Sequence, residues 1–280
     1  MRKYLWVYAP SLGELWFIML VLLCLGGSVI VSVVSLLLGS FMQVSTGALS
    51  LALYPLLFAF AIPFILMRAK GSYAEKIAKG DLISESVLPS FGKLKKRSFF
   101  TLLLVLTPAF SILIEPLAMW IKMPDFIKEL FGEMGNHGWL SVLALVIMAP
   151  LLEEWLCRSV AINGLLKSGY SPRAAIAWSA CMFAVIHLNP WQAIPAFLVG
   201  LLLGWIYWRT RSLWATIFTH AVNNALSVAL TWAFPHLPED ASTYDVVGAP
   251  YYYAILAGSL VITATIIFIL HQKLPSRDQS

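Results

Sequence analysis

No charged side chain occurs between Glu14 and Arg68. A helix needs roughly 20 apolar residues to cross the hydrocarbon core of a bilayer, so this stretch alone has room for two crossings. In lipid the backbone must satisfy its own hydrogen bonds, which selects helix for such a run. The rest of the chain follows suit. Hydrophobic residues make up 60% of it and charged residues 12%, against about 25% charged in soluble domains, and the mean hydropathy is +0.81. A soluble globular protein is thereby excluded, and so is a disordered one, which would need low hydrophobicity and high charge. Cys24, Cys157 and Cys181 lie in apolar stretches. Their odd number and scattered places read as small core residues rather than a disulfide framework. The first apolar run is too long for a signal-peptide core and has no small-residue cleavage site, so it is expected to be a retained helix.

The expected fold is all-α, a polytopic integral membrane protein of about eight transmembrane helices. They run Leu15–Leu38, Gly47–Met67, Ser98–Ile121, Trp139–Leu165, Ser171–Leu188, Trp191–Trp208, Leu213–Phe234 and Tyr251–Leu270. Pro108, Glu115 and Pro116 suggest a kink or break in the third. The fifth and sixth meet at Asn189-Pro190, a tight turn. Three regions follow: residues 1–138 with the N-terminal helices and a basic loop, a catalytic helical core over 139–234, and a loop, last helix and tail over 235–280.

The basic residues test this count. One side collects sixteen: Arg2, Lys3, Arg68, Lys70, Lys76, Lys79, Lys93, Lys95, Lys96, Arg97, Lys167, Arg173, Arg209, Arg211, Lys273 and Arg277. The other receives Lys122 and Lys128, and Arg158 remains inside a span. The positive-inside rule then sets both termini in the cytoplasm. The net charge of +5 becomes a property of that face, with anionic lipid headgroups as its partners and no nucleic acid. In the loop from Arg68 to Arg97, Tyr73 and Ile77, with Ala74 and Ala78, could line a short interfacial helix. The opposite loop, from Pro235 to Pro250, carries Glu239, Asp240 and Asp245.

A charge near the bilayer centre costs about 2.5–3.5 kcal/mol on insertion scales and marks a functional candidate. The fourth span holds Glu153, Glu154 and Arg158, the third holds Glu115, the fifth His187, and the seventh His220, Asn223 and Asn224. Glu154 and Arg158 are four apart and can pair on one helix face, while Glu153 points about 100° away. Two adjacent carboxylates repel in low dielectric, so one of them is suited to acid–base work. His220 and Asn224 share a face, as do Phe183 and His187. Glu115 reads as structural or as a pathway residue. Gly200 and Gly204 permit a close helix approach, read as internal packing.

Three of these patterns together, Glu153-Glu154-x-x-x-Arg158, Phe183-x-x-x-His187 and His220-x-x-x-Asn224, resemble the motifs of the CPBP family of intramembrane proteases. That family groups CAAX prenyl endopeptidases, bacteriocin-processing enzymes and Abi proteins. The stretch from Gly200 through Arg209-Thr210-x-Ser212-Leu213-Trp214 to His220 is similar to the family's lead-in to its last motif. The resemblance covers roughly Trp139 to Leu230, and Ser159 departs from the glycine many members carry after the arginine. It implies hydrolysis of a peptide bond within the membrane, in prenylated CAAX-type or other membrane-associated peptide substrates. Glu153 is the preferred base on a water, Glu154 is held by Arg158, and His187 supports the water or the leaving amine. His220 and Asn224 donate to the oxyanion. Glu153, His187 and His220 are also a donor set for zinc or another divalent metal, and the sequence leaves the two routes open.

A proton-coupled transporter would use similar residues, but usually with repeats and paired broken helices, and neither is visible. A non-catalytic immunity or scaffold relative is the other alternative. The length and the lack of a targeting segment lean toward a prokaryotic inner membrane. Substrate identity and oligomeric state are not legible.

Overall fold

The structure is a computed structural model that describes residues 2–42, 46–81, 87–119, 121, 123–125, 128–129, 138–237 and 241–276. Lys122, Glu239, Asp240 and Arg277 lie outside the described residues. Among the described residues every regular element is a helix. In chain order these are α1 (Arg2–Val7), α2 (Leu12–Phe41), α3 (Thr46–Ala52), α4 (Tyr54–Ala78), α5 (Lys96–Ala118), α6 (Trp139–Lys167), α7 (Pro172–Val185), α8 (Pro190–Thr210), α9 (Leu213–Ala233), α10 (Thr243–Val247) and α11 (Tyr251–Lys273).

Six of them, α2, α4, α5, α6, α8 and α11, are long and apolar enough to cross a bilayer. The other two expected spans are helices that fall short for opposite reasons. α7 has 14 residues, about 21 Å at 1.5 Å per residue against about 30 Å of hydrocarbon. α9 has 21 residues, but Thr216, Thr219, His220, Asn223 and Asn224 dilute its apolar character. The outward faces are oily: Leu25, Leu36, Phe41, Val261 and Phe268 are exposed, as lipid-facing side chains are and as a water-soluble surface rarely is. The chain is an integral membrane protein.

Local chemistry sets the helix starts. Ser171, Asn189 and Ser212 accept from the backbone N–H three residues on, at 3.3, 2.8 and 3.2 Å, the N-cap arrangement. Pro172 and Pro190 open α7 and α8, where a missing N–H costs nothing. α8 ends at Arg211, which takes the left-handed conformation (φ 54°). The expected break in α5 does not occur, for the helix continues through Pro108 and Pro116. Thr107, beside Pro108, donates its hydroxyl to the Leu103 carbonyl four residues back.

The expected second span is divided. α3 ends at Ala52, and α4 opens at Tyr54 as a 3₁₀ turn with Pro55 in its first positions. α4 then runs past Met67 to Ala78. Tyr73 and Ile77 therefore belong to this long helix and not to a separate interfacial one, and Tyr73 packs edge-on against Tyr4 at 5.1 Å.

Two apolar cores hold the bundle. One joins α2, α4, α6 and α7 through Leu15, Ile18, Phe58, Ile65, Leu156 and Met182. The other joins α5, α8 and α11 through Phe99, Leu103, Leu202, Ile206, Ile266 and Leu270. α7 and α8 pack as a hairpin through Gly200 and Gly204. A Cβ at Gly200 would meet Ala180 at 3.0 Å, and one at Gly204 would meet Ile176 at 2.9 Å, so this stripe is spent within the chain.

The basic residues gather at one end. Lys3 lies over Tyr73, Lys167 over Trp6, Arg68 pairs with Glu14, and Arg211 donates to Asn163. Arg209 donates to the carbonyls of His271, Leu274 and Pro275, closing the C-terminal end of α11. Glu115 sits at the other end of α5, where it accepts from the backbone N–H of Thr243 and ties α10 to the bundle.

Candidate active site

α6 crosses the middle of the molecule, packed by α4, α7, α8 and α9, and it carries the buried charges. It is α-helical through Ala149–Glu154 and wound more loosely, as π-helix, through Val142–Met148 and Trp155–Ile162. Such windings are frequent at functional sites. Glu153 (7% exposed), Glu154 (0%) and Arg158 (0%) all lie inside.

One oxygen organises the site. Glu154 Oε1 accepts from Arg158 Nη1 at 2.9 Å and contacts His220 Nδ1 at 3.0 Å. The pair predicted from the four-residue spacing is therefore present, and α9 delivers His220 to the same atom. A buried carboxylate and guanidinium tolerate desolvation only with further hydrogen bonds, and Arg158 has them. Its Nη2 donates to the Gly200 carbonyl at 3.3 Å, and its guanidinium carbon lies 4.5 Å from the centre of the Phe183 ring.

Phe183 is the common post for the histidines. The His187 and His220 rings lie edge-on to it at 5.1 and 5.3 Å. His187 is not within a helix, since α7 stops at Val185 and the histidine follows in the turn toward Asn189. Its Nδ1 donates to the Phe183 carbonyl at 2.7 Å, which leaves Nε2 for other work. Asn224 donates to the Leu145 carbonyl at 2.8 Å. Its neighbour Asn223 accepts from Ser111 on α5 at 2.8 Å and donates to Asn224 Oδ1 at 3.4 Å.

Glu153 is turned away from this cluster, as the helix period requires. Its Oε1 accepts from the Tyr54 hydroxyl, and its Oε2 is buried with no hydrogen-bond partner among the described residues. Glu154 Oε2 is in the same state. Tyr54 is the site residue that the sequence did not reveal. A tyrosine in an apolar run looks like any interfacial aromatic, and only the division between α3 and α4 brings it to Glu153.

The expected metal donors do not assemble. Among the described residues no group of three or more His, Cys, Asp or Glu side chains stands where it could hold a metal ion. Each of the three expected ligands keeps a second donor atom, Glu153 Oε2, His187 Nε2 and His220 Nε2, but the side chains do not gather as one donor set. The residues present thus do not fit a three-ligand site made from Glu153, His187 and His220.

Fold and site together define a helical membrane protein in which Glu154, Arg158 and His220 meet on one buried oxygen, with His187 against the same Phe183 ring and Glu153 turned toward Tyr54. Residues 135–226, about a third of the chain, match the family model described as Type II CAAX prenyl endopeptidase Rce1-like, of the CPBP family. The match contains all three motifs and is a match to a family of membrane proteases. No curated protein and no solved structure matches the chain.

Proposed function

We propose that the protein is an intramembrane endopeptidase that hydrolyses a peptide bond with a carboxylate-activated water. The observation that carries this is the division of labour between adjacent glutamates. Each keeps a buried oxygen without a partner, but Glu154 is charge-paired with Arg158 and in contact with His220, while Glu153 has only the uncharged Tyr54 hydroxyl. Glu153 Oε2 takes the proton of the attacking water, and the hydroxide adds to the scissile carbonyl. Glu154 fixes the His220 ring through Nδ1, so Nε2 faces the substrate. As imidazolium it donates to the oxyanion, the stabilisation that acyl transfer most needs. Asn224 gives a second amide donor after release from Leu145. Glu153 Oε2 returns the water's proton to the leaving amine as the C–N bond breaks, and His187, with Nε2 free, accepts a hydrogen bond from the amine and orients it. No metal enters these steps.

The substrates proposed are prenylated CAAX tails or other membrane-held peptides. The family match supports this class, and the buried position of the carboxylates supports a bond cleaved at membrane depth. The gathering of basic groups at one end supports both termini on the cytoplasmic side, against anionic headgroups. Mass spectrometry of cleaved termini in membranes tests the reading, with Glu154→Gln set against wild type. Termini that disappear in the variant are expected, and identical sets would overturn the endopeptidase reading.

A further inference from the structure

We propose that Tyr54 is a positioning residue for Glu153, holding Oε1 so that Oε2 is the oxygen presented to the reacting water. The proposal rests on the reading of Glu153 as the base. Tyr54 lies outside the segment that matches the family and outside the three motifs, so neither assigns it a role.

Four observations carry the inference. First, the Tyr54 hydroxyl donates to Glu153 Oε1, and no other described side chain is hydrogen-bonded to that carboxylate. Arg158, the only buried cation on α6, is engaged with Glu154 and the Gly200 carbonyl instead. Second, Glu153 Oε2 is buried and unpartnered. Glu154 is also held at one oxygen, but by a cation, whereas the phenol clamps Glu153 without pairing its charge and leaves Oε2 to accept, as a general base requires. Third, the hydroxyl is held by backbone geometry. Tyr54 opens the 3₁₀ turn Tyr54–Phe58, beside Pro55, and this turn packs on α6 at Ala149–Glu154. Fourth, the turn is itself pressed into place. Gly27 of α2 comes so close to Leu57 that a Cβ there would fall 2.2 Å from the Leu57 carbonyl oxygen. A segment remote in sequence is thereby built against the catalytic helix with its one phenol on the catalytic carboxylate.

Without the hydroxyl, Glu153 would still sit at the site, but its carboxylate would rotate among orientations of which few present a lone pair to water. The loss belongs to the chemical step and not to substrate capture.

Tyr54→Phe retains the ring, which packs against Phe58 at 6.2 Å, and deletes the hydrogen bond. The substrate is a synthetic peptide copying a terminus whose release in membranes depends on Glu154. A hydrogen bond to a charged group is worth about 1.5–3 kcal/mol, so kcat is expected to fall about ten- to a hundred-fold with KM unchanged. Infrared spectra supply a readout independent of turnover. The carboxylate stretch assigned to Glu153 by its disappearance in Glu153→Gln is expected to move in Tyr54→Phe. A merely structural tie would lower thermal stability and leave kcat per folded molecule unchanged, and an unmoved band would mean that the hydroxyl does not hold the carboxylate; either result beside an active wild type overturns the proposal. If no terminus depends on Glu154, the endopeptidase reading itself fails, whatever Tyr54 does to the band.

Discussion

Arg158 and Glu154 show why few charges suffice inside a membrane protein. Each is fully buried, and each is tolerable only because of the other. Removing one partner of such a pair leaves an uncompensated charge and typically costs about 3–5 kcal/mol. Arg158→Met is therefore expected to destabilise the protein by about that much, measured by unfolding in detergent, and to abolish cleavage. Glu153→Gln removes the base and leaves the Arg158–Glu154 pair intact, so it should abolish cleavage while the fold survives. If Arg158→Met proved as stable as wild type, the guanidinium would not be anchoring Glu154. A second expectation concerns metal. Glu153, His187 and His220 are not grouped as a donor set, so activity should persist under strong chelation. Activity lost with chelator and regained with zinc would mean that these side chains regroup around an ion when substrate binds. The Glu154–Arg158 pair was legible in the sequence because four residues on a helix fix a face. The His220 contact was not, because no spacing within one helix tells which atom of another helix it meets.

At the scale of elements, the difference between expected and observed spans is where the site is made. Hydropathy sums over Ser171–Leu188 and Gly47–Met67 and takes each as one crossing. α7 instead stops at Val185 and leaves His187 in a turn beside Phe183. The signal was present in Asn189-Pro190, an N-cap followed by proline at the first helical position, which marks a new start at 190 and hence an end before it. The second span divides at Tyr54, and Pro55 alone could have hinted at that. Gly27 explains why the turn after the division stays put, and the sequence could not show it, because a glycine in an apolar helix looks the same with or without a neighbour. Gly27→Ala forces α2 and the Tyr54 turn apart, and overpacking of this kind costs about 1–3 kcal/mol. Activity should fall along with stability, although Gly27 touches no catalytic group, and an active, fully stable Gly27→Ala would mean that the turn can shift without disturbing Glu153. α10 offers a smaller test. Its capping box ties Ser242 to Asp245, and those bonds, first from the Ser242 side chain and then from its backbone, hold the Asp245 carboxyl below its usual range. A depressed carboxyl stabilises the folded loop above the unfolded value of about 3.9, and that contribution is lost as pH falls through the folded value. Because Asp245 is nearly all solvated, the effect should be small. It should appear as lower amide protection at Ser242 and Asp245 in acid, relative to the intrinsic exchange rate at each pH, with the membrane helices unaffected.

For the whole molecule, the segregation of charge in the sequence and the gathering of charge in space describe the same axis. α1, the C-terminal ends of α4, α6, α8 and α11, and the start of α5 all meet at the basic end. Lys3 reaches Tyr73, Lys167 reaches Trp6, and Arg209 closes α11. Glu115 and α10 mark the other end. Arg209 shows that a basic residue can serve topology and packing together, since its guanidinium fills the C-terminal carbonyls of α11, where positive charge suits the helix dipole. This axis bears on which compartment the peptide comes from, because it sets which end of the bundle faces the cytoplasm. Orientation is therefore a functional prediction. Single cysteines replacing exposed residues, Glu75→Cys at the basic end and Tyr244→Cys at the other, can be probed with a membrane-impermeant maleimide, the native cysteines having been changed to alanine. In intact cells the position 244 thiol is expected to react and the position 75 thiol to stay protected until the membrane is opened. The reverse pattern would set the basic end outside, against the positive-inside rule, and would require substrates presented from the other face.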